Sequence, residues 1–213
     1  MSQLEHTLES FLRARPGLEE RLVYRWQGQG EAETDRLFAE CHRRLTDALR
    51  NRHRDLVKAC IIDIVHVWGG ITSYQRLADR YPDLLFHLDE SNPVGPQSLT
   101  PLSSWTKVLA VYKPEKFSIY DSRVAVALRV LFPQIPWFLP PARANRALLM
   151  LHLARRGGPE LSPQETYARY LDLLHETGRP IRFERMLFML GGLLGFDAAK
   201  QAVVLLNNAP PFS

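Results

Sequence analysis

Two cysteines, Cys41 and Cys60, are too few for a disulfide scaffold, and no His or Cys stands at a metal-ligand spacing. Both fall in helix-like stretches, so reduced, buried thiols are expected. Long apolar runs are missing as well. Glu5, Glu9, Arg13 and Arg15 interrupt the N-terminal stretch, and the later runs break before they could cross a membrane. A soluble, cytoplasmic protein with no membrane partner is the expectation. There is no phosphate-cradling glycine loop and no internal repeat, so neither a cofactor nor a metal is expected. No charge sign dominates: Lys+Arg 27 stands against Asp+Glu 23, a formal +4 that nucleic-acid binders share with many other soluble proteins.

What the chain has instead is arginine in groups and a helical apolar period. Arg13, Arg15, Arg21 and Arg25 form one group, and Arg43, Arg44, Arg50, Arg52 and Arg54 a second. Guanidinium groups suit phosphate oxygens and also ordinary ion pairs on helix surfaces. Leu4, Leu8, Phe11 and Leu12 make a stripe that ends near Pro16-Gly17. Residues 31–50 carry Leu37, Phe38, Cys41, Leu45 and Leu49 at three- and four-residue spacings. Residues 55–68 are apolar enough for a helix buried on most sides, with a strand as the alternative, and His66 within them reads as a core histidine.

A short helix over 72–77 is expected to close at Tyr81-Pro82. Residues 90–101 read as a loop, 132–141 as a proline-rich break, and 142–156 as a helix. Ser162, Pro163 and Glu165 spell a capped helix start, with the stop at Gly178, and residues 183–194 form a last helix. The fold class is therefore all-α. It is read as one helical domain over 1–213, with two lobes flanking a cleft as the alternative.

The segment most suited to chemistry is 102–128, LSSWTKVLAVYKPEKFSIYDSRVAVAL. Ser103 or Ser104 is placed to cap a helix, which puts Lys107 in an early turn, and Pro114 stops that helix. Asp121 caps the next helix, whose buried stripe is Val124, Leu128 and Leu131. An amine and a carboxylate so placed could share one pocket. Asp121 alone reads equally well as an ordinary cap.

This pattern resembles the helix-hairpin-helix DNA glycosylase superfamily, particularly its 8-oxoguanine glycosylase-like branch. Leu102, Lys107 and the run Asp121-Ser122-Arg123-Val124 match the family's hairpin leucine, helix-starting lysine, and aspartate with its small, polar and aliphatic followers. The usual hairpin is glycine-rich, whereas this chain has Ser103-Ser104-Trp105-Thr106. The resemblance implies a helix-hairpin-helix glycosylase-like fold and a damaged-duplex DNA partner. It also implies an enzyme that excises an oxidised purine such as 8-oxoguanine, with Lys107 the nucleophile that forms a Schiff base and Asp121 its assistant at the sugar. AP-lyase strand cleavage by β-elimination would follow. Ser104, Trp105, Tyr120 and Arg123 are the candidate nucleic-acid contacts. Arg123 is the first choice for a phosphate, while Trp105 and Tyr120 could equally pack in the core. A non-catalytic DNA-binding module on the same fold and a partner-binding helical protein are the other readings.

Overall fold

The computed structural model describes residues 1–25, 29–69, 79–91, 93–94, 102–140 and 161–207, with backbone alone for residues 68 and 196–207. It is an all-α helical bundle with no strand among the described residues. The helices are α1 (Gln3–Arg13), α2 (Glu31–Arg50), α3 (Arg54–Ile62), α4 (Tyr81–Phe86), α5 (Leu102–Tyr112), α6 (Ser122–Leu131), α7 (Pro163–His175) and α8 (Pro180–Asn207). No helix among the described residues is long and apolar enough to cross a membrane.

Local chemistry accounts for most helix ends. Ser2 with Glu5 and Ser162 with Glu165 close full capping boxes on α1 and α7, satisfying backbone N–H groups that a helix start leaves open. Gly178 takes φ +65° beyond α7, a left-handed conformation that glycine adopts without a Cβ clash.

Four sequence expectations change. Tyr81-Pro82 opens α4 instead of closing a helix, because proline is accommodated in a first turn, where its missing N–H has no intrahelical partner. Residues 55–68 split into α3 and a π-helical turn, Asp63–Trp68. The helix expected over 183–194 extends to Pro180–Asn207. Helix α5 begins at Leu102, so Ser103 and Ser104 lie inside its first turn, and it runs for 11 residues before Pro114. The helices expected over 72–77 and 142–156 lie outside the described residues.

Helix α5 is the centre of the bundle: Ser104 to Val111 are all buried. A helix apolar on all sides needs partners on all sides. It packs on α2 and on the π-helical turn, while α6 lies most extensively against α8. Gly191 makes that last approach possible. A Cβ there would come within 1.7 Å of the Arg123 carbonyl oxygen, so only a bare backbone fits.

Candidate active site

Lys107 occupies the second turn of the buried central helix and is 4% exposed. Its Nζ donates to the Ser103 carbonyl oxygen at 3.2 Å and to Ser103 Oγ at 3.4 Å. The stem passes Gly69, where a Cβ would lie 2.9 Å from Lys107 Cδ, so the glycine after the π-helical turn leaves the lysine its room. Burial pushes the amine below the usual lysine range, because a desolvated ammonium is disfavoured. The Asp121 and Glu184 carboxylates oppose that shift, and the Arg123 guanidinium adds to it. Lys107 forms no ion pair among the described residues. It feels two carboxylates without being locked to either.

Asp121 caps α6 from an extended backbone, φ −122°. Its Oδ1 accepts from the Arg123 N–H at 2.9 Å and the Val124 N–H at 3.1 Å. The helix N-terminus supplies positive potential at the same point. Cap and α5 are held together by the residues beside them. The Thr106 hydroxyl donates to the Tyr120 carbonyl at 3.2 Å and accepts from the Tyr120 N–H at 3.0 Å. Since Thr106 precedes Lys107 and Tyr120 precedes Asp121, this clasp sets the amine and the carboxylate beside one cleft.

Glu184, from the first turns of α8, is the group that sequence reasoning missed. Its Oε2 accepts from the Ile119 N–H at 2.9 Å. Its residue surface is only half-buried, yet its carboxyl lies among protein atoms, and that desolvation pushes it up to about 7 against the pull of Ile119, Ser118 and Arg185. A signal was present in the sequence. Glu184 lies three and four residues before Leu187 and Phe188, which puts a carboxylate on a packing face.

Lys107, Asp121 and Glu184 line one narrow cleft with Tyr24 and Phe188. About 20 Å³ within it is open to the centre of a water molecule, enough for one or two waters. The two rings stand 6.2 Å apart at 55°. Arg185 lies 4.9 Å from the Tyr24 ring and Arg123 lies 4.5 Å from the Phe188 ring, so guanidinium groups flank the aromatic pair. Arg185 also pairs with Glu31 and Asp35 of α2, bracing the wall.

The other candidates divide sharply. Arg123 is exposed beside the cleft. Ser104, Trp105 and Tyr120 are 1%, 1% and 0% exposed and serve the core. Ser104 Oγ meets the Tyr81 hydroxyl at 2.7 Å, Trp105 Nε1 donates to the Pro93 carbonyl, and the Tyr120 hydroxyl donates to the Phe138 carbonyl. None of the three offers a surface to a nucleic acid. In the arginine groups, Arg13, Arg43, Arg44, Arg50 and Arg54 each pair with a carboxylate. Cys41 and Cys60 are free thiols, Cys60 buried and Cys41 partly so. Among the described residues no group of three or more His, Cys, Asp or Glu is placed to hold a metal ion. No family model, curated protein or solved structure matches the chain.

Proposed function

We propose that this chain is a DNA glycosylase with associated lyase chemistry, built on a helix-hairpin-helix glycosylase-like fold. The observation that carries the reading is the shared cleft: Lys107 and Asp121 both line it, and the amine is desolvated with no ion pair among the described residues. A lysine in that state gives up its proton more readily than one in water, and nucleophilic catalysis by an amine requires that loss. A carboxylate fixed in place by two N–H donors is positioned to stabilise the positive charge that develops at a sugar C1′ as its base departs.

Glycosylases act on an extrahelical nucleotide, and unstacking it costs about a few kcal/mol. The cleft has room for no more than one or two water-sized groups in the present conformation. Entry of a nucleoside therefore requires the Tyr24 and Phe188 rings to swing aside, exposing Lys107 to C1′. Arg123, exposed next to the α6 N-terminus, is the phosphate contact of this reading. The amine attacks C1′, the base leaves, and the resulting Schiff base on Lys107 permits β-elimination. An oxidised purine such as 8-oxoguanine is the substrate that the motif resemblance favours.

A second reading, a non-catalytic DNA-binding module, draws on the 4% exposure of Lys107. Duplexes carrying a panel of damaged bases, incubated with the protein and borohydride, separate the two. A covalent adduct absent from Lys107→Ala supports the enzyme. Binding without an adduct across the whole panel supports the module.

A further inference from the structure

We propose that Glu184 is the proton carrier of the site, taking the proton that masks the Lys107 amine and delivering it to the departing base. The inference rests on the glycosylase reading and assigns a role that the lysine and aspartate leave unfilled. A lysine that attacks must first lose a proton, and a neutral base that leaves as an anion must gain one.

Asp121 and Glu184 line the same cleft as Lys107. Asp121 Oδ1 is engaged by two backbone N–H groups as the cap of α6. Glu184 accepts from the Ile119 N–H and the Ser118 hydroxyl, yet burial outweighs both and raises its affinity for a proton. A carboxyl in the lysine's own cleft, with a raised affinity for a proton, is placed to carry one. The groups that act electrostatically with Glu184 include Lys107 of α5, Asp121 capping α6, Arg185 of its own helix, Tyr167 and Tyr170 of α7, and Tyr24. Burial drives both α7 phenols well above their ordinary value, so neither competes for the proton near neutral pH.

The protons balance as follows. The Glu184 carboxylate takes a proton from the Lys107 ammonium, leaving an amine and a carboxylic acid. The amine nitrogen bonds to C1′ as the bond from C1′ to the base breaks, and its electron pair leaves with the base. The base takes the proton from Glu184. The secondary ammonium now on Lys107 returns a proton to the Glu184 carboxylate. From there it passes to the ring oxygen as the C1′–O4′ bond opens and the iminium forms. No oxidant or reductant is involved.

The test compares wild type with Glu184→Gln on two duplexes, one with a damaged base and one with a preformed abasic site. The abasic aldehyde has no leaving base, so borohydride trapping there reports addition of the Lys107 amine without the proton delivery to a departing base. Glu184→Gln is expected to lower trapping of the abasic duplex about threefold, through loss of the acceptor for the Lys107 proton, and to slow excision of a neutral damaged base about 100-fold, through loss of the donor to the base as well. Wild-type excision is expected to show a bell-shaped pH profile whose alkaline limb disappears in Glu184→Gln, and Glu184→Asp should restore part of the limb. Equal excision with an unchanged profile would overturn the proposal, as would a fall in both reactions by the same factor.

Should Glu184→Gln fail to fold, wild type alone decides. Its alkaline limb should be present for a neutral base and absent for a cationic alkylated base, which departs without needing a proton; the same limb for both would refute the role. Failure of the glycosylase reading looks different, because wild type itself then excises nothing.

Discussion

The Thr106 hydroxyl meets both backbone polar groups of Tyr120, donating to its carbonyl at 3.2 Å and accepting its N–H at 3.0 Å. Threonine and tyrosine are each one residue before a cleft carboxylate or amine, so one buried hydroxyl registers α5 against the segment leading into α6. Thr106→Val should remove both hydrogen bonds to the buried Tyr120 backbone, at a cost of about 1–3 kcal/mol. Thr106→Ser keeps the hydroxyl and should stay within about 1 kcal/mol of wild type. Urea denaturation of the two variants checks this; equal losses would show that the methyl group, not the hydroxyl, is what matters.

Asp121 has two duties that substitution can separate. Asp121→Asn retains an oxygen able to accept from Arg123 and Val124 N–H, so stability should change by less than about 0.5 kcal/mol. Asp121→Ala removes the cap and should cost about 1 kcal/mol. Both should lose base excision, because neither keeps the charge. Retained excision in Asp121→Asn would reduce the residue to a cap.

A buried amine whose hydrogen bonds among the described residues go to Ser103 contributes little to folding. Lys107→Met fills the same space with an apolar chain and should leave stability equal or raise it by up to about 2 kcal/mol, with all adduct formation abolished. A thermal unfolding scan decides. A clear loss of stability would identify Lys107 as a structural tie between helices.

Glu184 links stability to pH. Its folded value, about 7, stands above the ordinary 4.5, so the folded protein holds a proton that the unfolded chain releases between those values. The associated stability is fully present below pH 4.5 and is lost as the pH rises through about 7. Allowing for partial exposure, the loss is about 2 kcal/mol. Glu184→Gln should flatten this slope in denaturation measured from pH 5 to 8. An unchanged slope would place the titrating group elsewhere.

Local signals were the legible ones. Ser162 with Glu165, Asp121, Gly178 and the 31–50 stripe could be read directly, because caps and helical periods act within a few residues. Tyr81-Pro82 was misread because proline closes one helix and opens another with equal ease. Trp105 and Tyr120 carried no mark separating a base-stacking aromatic from a core one, and the structure spends both on packing. Glu184 stayed hidden because its partner Ile119 is 65 residues away, and only the packing of α8 on α6 brings that carboxyl to the lysine.

The central claim is that Lys107 is the covalent nucleophile. The most direct measurement is peptide mapping of the borohydride-reduced complex with a duplex containing an abasic site or an oxidised purine. The account predicts the sugar-derived mass on the peptide bearing Lys107, and its absence from Lys107→Ala. An adduct on any other residue, or none with wild type on every duplex, would contradict it.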